Sequence, residues 1–194
     1  MVKKISELIA LRIVQQVGRR EEQEIYIYGL QILINTIISI GAVLLMSIFF
    51  HTFTETVFFL VCYCSLRIYA GGLHASSNER CMSIFIVGYF IIQFVITHIQ
   101  IHVGDYAPFL LIGNAFLIII WAPIEAYNNP IPVLKRKEMK KNAFLISLIL
   151  LVVILIMVSL SIKASIWGVA GVCWFDAIFT AGKFKNERTR RSEK

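Results

Sequence analysis

Uncharged stretches of roughly twenty apolar residues recur along this chain, each long enough to cross a bilayer as a helix, and short polar segments divide them. Residues 25–50 carry no charge, and neither do residues 143–162. The pattern predicts six spans near 25–50, 54–70, 82–102, 107–126, 142–162 and 164–182. Ahead of them, residues 1–24 read as an amphipathic helix. Ile5, Ile9, Ile13 and Val17 recur at every fourth position with Leu8 beside them, while Leu11 and Val14 fall off the stripe. Such a helix either rests on lipid or packs on the bundle. The expected fold is all-α, one integral-membrane domain over residues 1–194, closing in a basic tail at 183–194. The first span is too long and too far from the N-terminus for a removable signal peptide, and further spans follow it. Asn128-Asn129-Pro130-Ile131-Pro132 breaks the chain after the fourth span.

Composition agrees with that class. Hydrophobic residues make up 58% of the chain and charged ones only 16%, too few polar groups to cover a soluble domain of 194 residues. The net charge of +7 first suggests nucleic acid, but the positions of the charges answer differently. With the N-terminus in the cytoplasm, 18 of the 19 lysines and arginines fall on the cytoplasmic side and only Lys163 falls outside. The basic excess therefore reads as a topology signal, with attraction to membrane lipid as its by-product. Both termini are expected in the cytoplasm, and no nucleic-acid partner is expected. A five-span arrangement would carry the basic tail outside.

Candidate chemistry gathers in one loop, on the cytoplasmic side of that topology. Residues 67–81 read R-I-Y-A-G-G-L-H-A-S-S-N-E-R-C, bringing together a histidine, a cysteine, paired glycines and charge. A thiol needs a base to act as a nucleophile at neutral pH, and His74 lies seven residues before Cys81. Ser76-Ser77-Asn78-Glu79 is a helix-start signal, with Ser76 and Glu79 at capping-box spacing. A helix starting there puts Cys81 near its first turn, where the positive end of the dipole favours a thiolate. Along one continuous helix, seven residues span about 10.5 Å, too far to share a proton, so the chain between them has to turn. Gly71 and Gly72 supply the backbone freedom for it.

The other cysteines carry no such context. Cys62, Cys64 and Cys173 fall inside spans, where cysteine packs as a small hydrophobe. Cys62 and Cys64 form C-x-C, and nothing completes a metal-ligand set, so no metal or cofactor is expected.

The segment resembles the core motif of the accessory gene regulator B family, membrane peptidases that process quorum-sensing peptide precursors. That motif reads here as Arg67, Gly71, Gly72, His74 and Cys81. The resemblance continues through Trp121-Ala122-Pro123, the Asn-Pro-Ile-Pro turn and the basic run from Lys135 to Lys141, so it covers nearly the whole chain. It implies a bacterial cell membrane, a homodimer, Cys81 as nucleophile and His74 as its base. The implied substrate is a short precursor with an amphipathic N-terminal helix, a central signal sequence and an acidic C-terminal tail. Cleavage through an acyl-thioester would then allow ring closure to a thiolactone or lactone.

Further charges are candidates as well. Lys135, Arg136, Lys137, Lys140 and Lys141 are expected either to steer an acidic substrate tail or simply to set topology and touch lipid. Glu125 and Asp176 are acids near or within spans, either of which is a candidate to orient His74 or to pair with a basic neighbour. His51, His98 and His102 fall on the outer side. Two rival readings stay open, a small transporter or exporter subunit centred on Asp176 and a non-catalytic membrane scaffold. Neither explains the Arg-Gly-Gly-His-Cys cluster.

Overall fold

The structure, a computed structural model, describes residues 2–17, 23–72, 78–98, 104–124 and 132–192. Seven helices occupy them: α1 (Val2–Val17), α2 (Gln23–Phe49), α3 (Phe53–Ala70), α4 (Asn78–His98), α5 (Ala107–Trp121), α6 (Val133–Ser159) and α7 (Ser165–Ser192). No strand occurs among the described residues. Five of these helices, α2, α3, α4, α6 and α7, are long and apolar enough to cross a membrane. Their outward faces are apolar too, as at Leu33 and Ile37 of α2, Val87 and Phe94 of α4, and Ile149 and Val152 of α6. Patches this extensive are incompatible with water, and the chain is an all-α polytopic membrane protein.

The fourth expected span is shorter than expected. α5 stops at Trp121 rather than near residue 126, leaving 15 residues, or about 22 Å of helix. Proline explains the stop. Pro123 disfavours helical geometry in Ala122, which takes an extended conformation (φ −73°, ψ 146°). Elsewhere the helices run further than expected. The basic run Lys135–Lys141 forms the first turns of α6 instead of a loop, and the tail continues α7 to Ser192. Residues 183–192 contain no proline or glycine and are rich in good helix formers, with Lys183 and Glu187 paired at 3.3 Å one turn apart.

The N-terminal helix packs by a face other than its apolar stripe. It buries Ser6, Ala10 and Val14 against α2, not the Ile5–Ile9 stripe, and Leu8 is 65% exposed. Small side chains at every fourth position let the two helix backbones approach closely, which outweighs the larger apolar area of the isoleucines.

α7 is the centre of the bundle. Lipid tails are as apolar as leucine, so helices in a bilayer associate through close packing more than through a hydrophobic drive. α7 meets α3 at two glycines. A Cβ on Gly171 would stand 2.8 Å from the Phe59 carbonyl oxygen, and one on Gly168 would stand 2.4 Å from the Phe58 ring. Aromatic side chains fill the space beside that seam, with Phe59 edge-on to Tyr89 (5.4 Å) and Tyr63 stacked on Phe85 (5.0 Å).

Two polar clusters tie the helices together. Asn114 of α5 donates to the Asp176 carboxylate of α7 (2.7 Å) and accepts from the Ser147 hydroxyl of α6 (2.6 Å). Near the opposite end, Gln93 of α4 accepts from Tyr89 (2.8 Å) and from Thr52 at the start of α3 (3.0 Å). Interhelical hydrogen bonds of this kind contribute on the order of 0.6–2 kcal/mol each in a bilayer, enough to fix register but not to assemble the bundle.

The glycine seam predicts an asymmetric response to substitution. Gly171→Leu overpacks the α3–α7 contact and should lower the thermal unfolding midpoint in detergent by the equivalent of about 1–3 kcal/mol or more. Gly113→Ala, where nothing lies within 4 Å of the added Cβ, should leave that midpoint unchanged or slightly raised.

Candidate active site

The site is assembled from two helix ends. Cys81 is the fourth residue of α4 and so lies in its first turn. Backbone N–H groups there lack intrahelical partners and present partial positive charge. Arg67, in the last turn of α3, brings its guanidinium Nη2 to 3.9 Å from the Cys81 Sγ. Both residues are half-buried. A permanent cation therefore stands beside a sulfur at a helix N-terminus, the type of environment in which thiolate chemistry is found.

The two glycines that follow α3 have distinct reasons to be glycine. Gly71 has φ +78°, and a Cβ on it would lie 2.3 Å from the Ile124 carbonyl oxygen. Gly72 has φ +143°, and a Cβ there would lie 2.6 Å from Arg67 Nη1. One glycine lets another chain segment close in, and the other leaves room for the guanidinium. That other segment is the exit from α5. Ile124 N–H donates to the Ala70 carbonyl (2.9 Å), and Gly71 and Ile124 form an isolated parallel bridge. The link between α3 and α4 is thereby fastened to the link between α5 and α6.

His74 and Glu125 lie outside the described residues, as do Ser76 and Ser77 of the expected helix start. The described residues before them in sequence are Gly72, which follows the bridged Gly71, and Ile124, which is itself in the bridge. His98 ends α4, 17 residues or about 25 Å along the axis from Cys81, and His51 lies beside Thr52 at that same far end. Neither can reach the thiol. His102 is outside the described residues.

Asp176 is engaged elsewhere. Trp174 and Ile178 of α7 approach Gly88 of α4 and Gly72. Asp176, two residues from each, is about 200° round the helix and bonds to Asn114. It faces α5 and α6, away from the Cys81 side. Lys135, Arg136, Lys137, Lys140 and Lys141 are exposed at the start of α6, eleven to seventeen positions beyond Ile124 in sequence. Cys62 is fully buried, and Cys64 and Cys173 are half-buried within spans. No group of three or more potential metal ligands occurs among the described residues.

A family model described as accessory gene regulator B matches residues 3–179. The chain belongs to that family. A Clostridium perfringens (strain 13 / Type A) protein described as AgrB-like is 30% identical over 187 residues, covering 92% of this chain and 87% of its own. The accessory gene regulator protein B of Staphylococcus haemolyticus is 31% identical over 129 residues, 64% of this chain and 66% of that one. Its counterpart in Staphylococcus lugdunensis is 33% identical over 131 residues, 66% and 67% respectively. No solved structure matches. The region matched to the accessory gene regulator B family includes Arg67, Cys81, Ile124 and Asp176, and leaves out the last turns of α7.

Sequence reasoning located Arg67 and Cys81 but missed Ile124 and Asn114. A backbone bridge between residues 53 apart leaves no mark on local composition, though Gly-Gly at a helix exit is a signal of close approach. The bridge predicts a measurable effect. Gly71→Ala should separate it and speed hydrogen–deuterium exchange at the Ile124 amide by about tenfold or more, while amides in α6 and α7 keep their protection.

Proposed function

We propose that this chain is a membrane-embedded cysteine endopeptidase of a bacterial quorum-sensing system. It cleaves a small precursor peptide through an acyl-thioester on Cys81 and supports closure of the product to a thiolactone or lactone. The observation that carries the reading is the placement of Cys81 in the first turn of α4 with the Arg67 guanidinium 3.9 Å from its sulfur. Membership of the accessory gene regulator B family supports it independently.

The chemistry follows from the parts. His74 takes the Cys81 proton, and the sulfur attacks the carbonyl at the C-terminal edge of the signal sequence. The tetrahedral oxyanion collapses, the C–N bond breaks, and His74 returns the proton to the departing amine of the acidic tail. The acyl group stays on Cys81 as a thioester, which retains the activation that a carboxylate would lose. A cysteine or serine side chain within the peptide then attacks it, releasing the Cys81 thiol and closing the ring. Ring closure must outrun hydrolysis, and a site at the membrane edge limits water.

Arg67 acts as the fixed cation beside the sulfur, and Glu125, next in sequence to Ile124, is the carboxylate assigned to orient His74. The cations of early α6 attract the acidic end of the precursor, whose amphipathic helix rests on the same membrane face. The site, both termini and the basic run face the cytoplasm, and a second copy of the chain completes a homodimer. A transporter reading would rest on Asp176. Its hydrogen bond to Asn114, and through Asn114 to Ser147, gives that carboxylate a task in joining three helices instead.

Cys81→Ala and His74→Ala should each lower precursor cleavage by at least about a thousandfold while membrane insertion persists. Replacing Cys62, Cys64 and Cys173 by Ala or Ser should leave cleavage largely intact. Peptide trapped during turnover should map to Cys81 through a bond that hydroxylamine breaks. An adduct elsewhere, or cleavage by Cys81→Ala, refutes the assignment.

Single cysteines introduced near residues 104 and 188 test orientation. An impermeant thiol reagent should label them from opposite sides of the membrane, with 188 cytoplasmic. Labelling from one side removes the six-crossing topology.

A further inference from the structure

α4 carries Cys81 at one end, yet its contact with the central helix α7 is slight; most of its packing is against α2. The contact with α7 is close at one residue. A Cβ on Gly88 would lie 2.0 Å from Cζ2 and 2.2 Å from Cη2 of Trp174, with Cε2 at 2.8 Å. The indole of α7 is thus seated directly on the α4 backbone. Gly88 is seven residues, two turns, beyond Cys81, which puts both on the same face of α4.

α7 holds the opposite half of the site as well. Its Gly171 abuts Phe59 and Cys62 of α3, the helix that ends with Arg67, and Ile178 comes within 3.7 Å of the Cβ position of Gly72. The helix pair that supplies the sulfur and the guanidinium is therefore referenced to a common third helix, at Gly171 on one side and Trp174 on the other.

From this we infer that Gly88 and Trp174 are a positioning pair for the proposed reaction, setting the height and approach of α4 so that Cys81 reaches Arg67. Any side chain at 88 must displace the indole or push α4 outward by on the order of 1 Å, and a misplacement of that size costs up to about a hundredfold in a positioned reaction. Neither residue touches the sulfur; both act through α4. The inference rests on the peptidase reading only for its consequence in cleavage, since the geometry of Cys81 and Arg67 is measurable without substrate.

The test uses the full-length protein in detergent or lipid vesicles, with Cys62, Cys64 and Cys173 replaced by Ala so that Cys81 is the sole thiol. Iodoacetamide reports on the sulfur. Gly88→Ala should slow Cys81 alkylation at neutral pH by about fivefold to tenfold, as the thiol withdraws from its cation. Trp174→Leu added to Gly88→Ala makes room for the new methyl and should restore most of the rate. In the same order, kcat for precursor cleavage should fall and recover with KM changed little. A Gly88→Ala protein that alkylates at the parental rate or faster overturns the inference, as does failure of the double variant to recover. A pair that merely stabilises the bundle would lower the thermal midpoint while the folded fraction kept parental alkylation, which also overturns it. Should the parent protein fail to cleave the precursor, the peptidase reading falls while the alkylation result still decides the positioning role.

Discussion

Everything in this bundle depends on how closely α7 approaches its neighbours. In water, a helix with the aromatic face of α7 would be driven inward by hydrophobic burial. In a bilayer that drive between helices vanishes, and contact distance decides instead. Gly168 and Gly171 remove the side chains that would hold α3 off, so that α7 lies against the Phe59 carbonyl. Dispersion falls steeply with separation, so the area gained at short range stabilises this pair more than larger side chains would. From that fixed seam the polar side chains take their register.

The candidate site inherits its geometry from the seam. Arg67 is one end of the helix packed most closely on α7, and its guanidinium fills the gap that Gly72 leaves beside it. Cys81 belongs to a helix held more loosely. The arrangement joins a guanidinium on the helix packed most closely on α7 to a thiol on a helix whose contact with α7 is slighter, with the Gly71–Ile124 bridge holding the exit from α3. The proposed cleavage and ring closure would need the cation and the thiol held at a set distance while the acyl group turns toward a second nucleophile.

Much of this was legible in the chain itself. Apolar blocks located the helices because a bilayer imposes a length requirement that few other environments do, and Arg67, Gly71, Gly72 and Cys81 stood out as polar or special residues at a span boundary. What escaped was directional. Asp176 looked available to a histidine, but its rotation about α7 follows from packing at Gly168 and Gly171, which local sequence does not encode. The N-terminal helix was open in the same way: its pattern left both lipid and the bundle as partners for the isoleucine stripe, and Ser6, Ala10 and Val14 are the face that fits against α2. Basic residues in early α6 and late α7 marked the limits of the apolar spans but not of the helices, since lysine and arginine propagate a helix well wherever their charge can reach water.

α5 carries a consequence for the membrane itself. It runs from Tyr106, beside Ile96 and Ile166 at the far end, to Trp121, which packs on Phe179 and Phe184 near the candidate site. Fifteen residues cover about 22 Å, against a hydrocarbon layer of about 30 Å. The helices packed on α5, α6 with 27 residues and α7 with 28, exceed that thickness, so the shortfall belongs to α5. A hydrophobic helix that short is met by local thinning of the bilayer or by flanking residues that reach the interface. For the proposed peptidase, a thinner bilayer beside α5 would bring a precursor lying on the surface closer to the depth of Cys81.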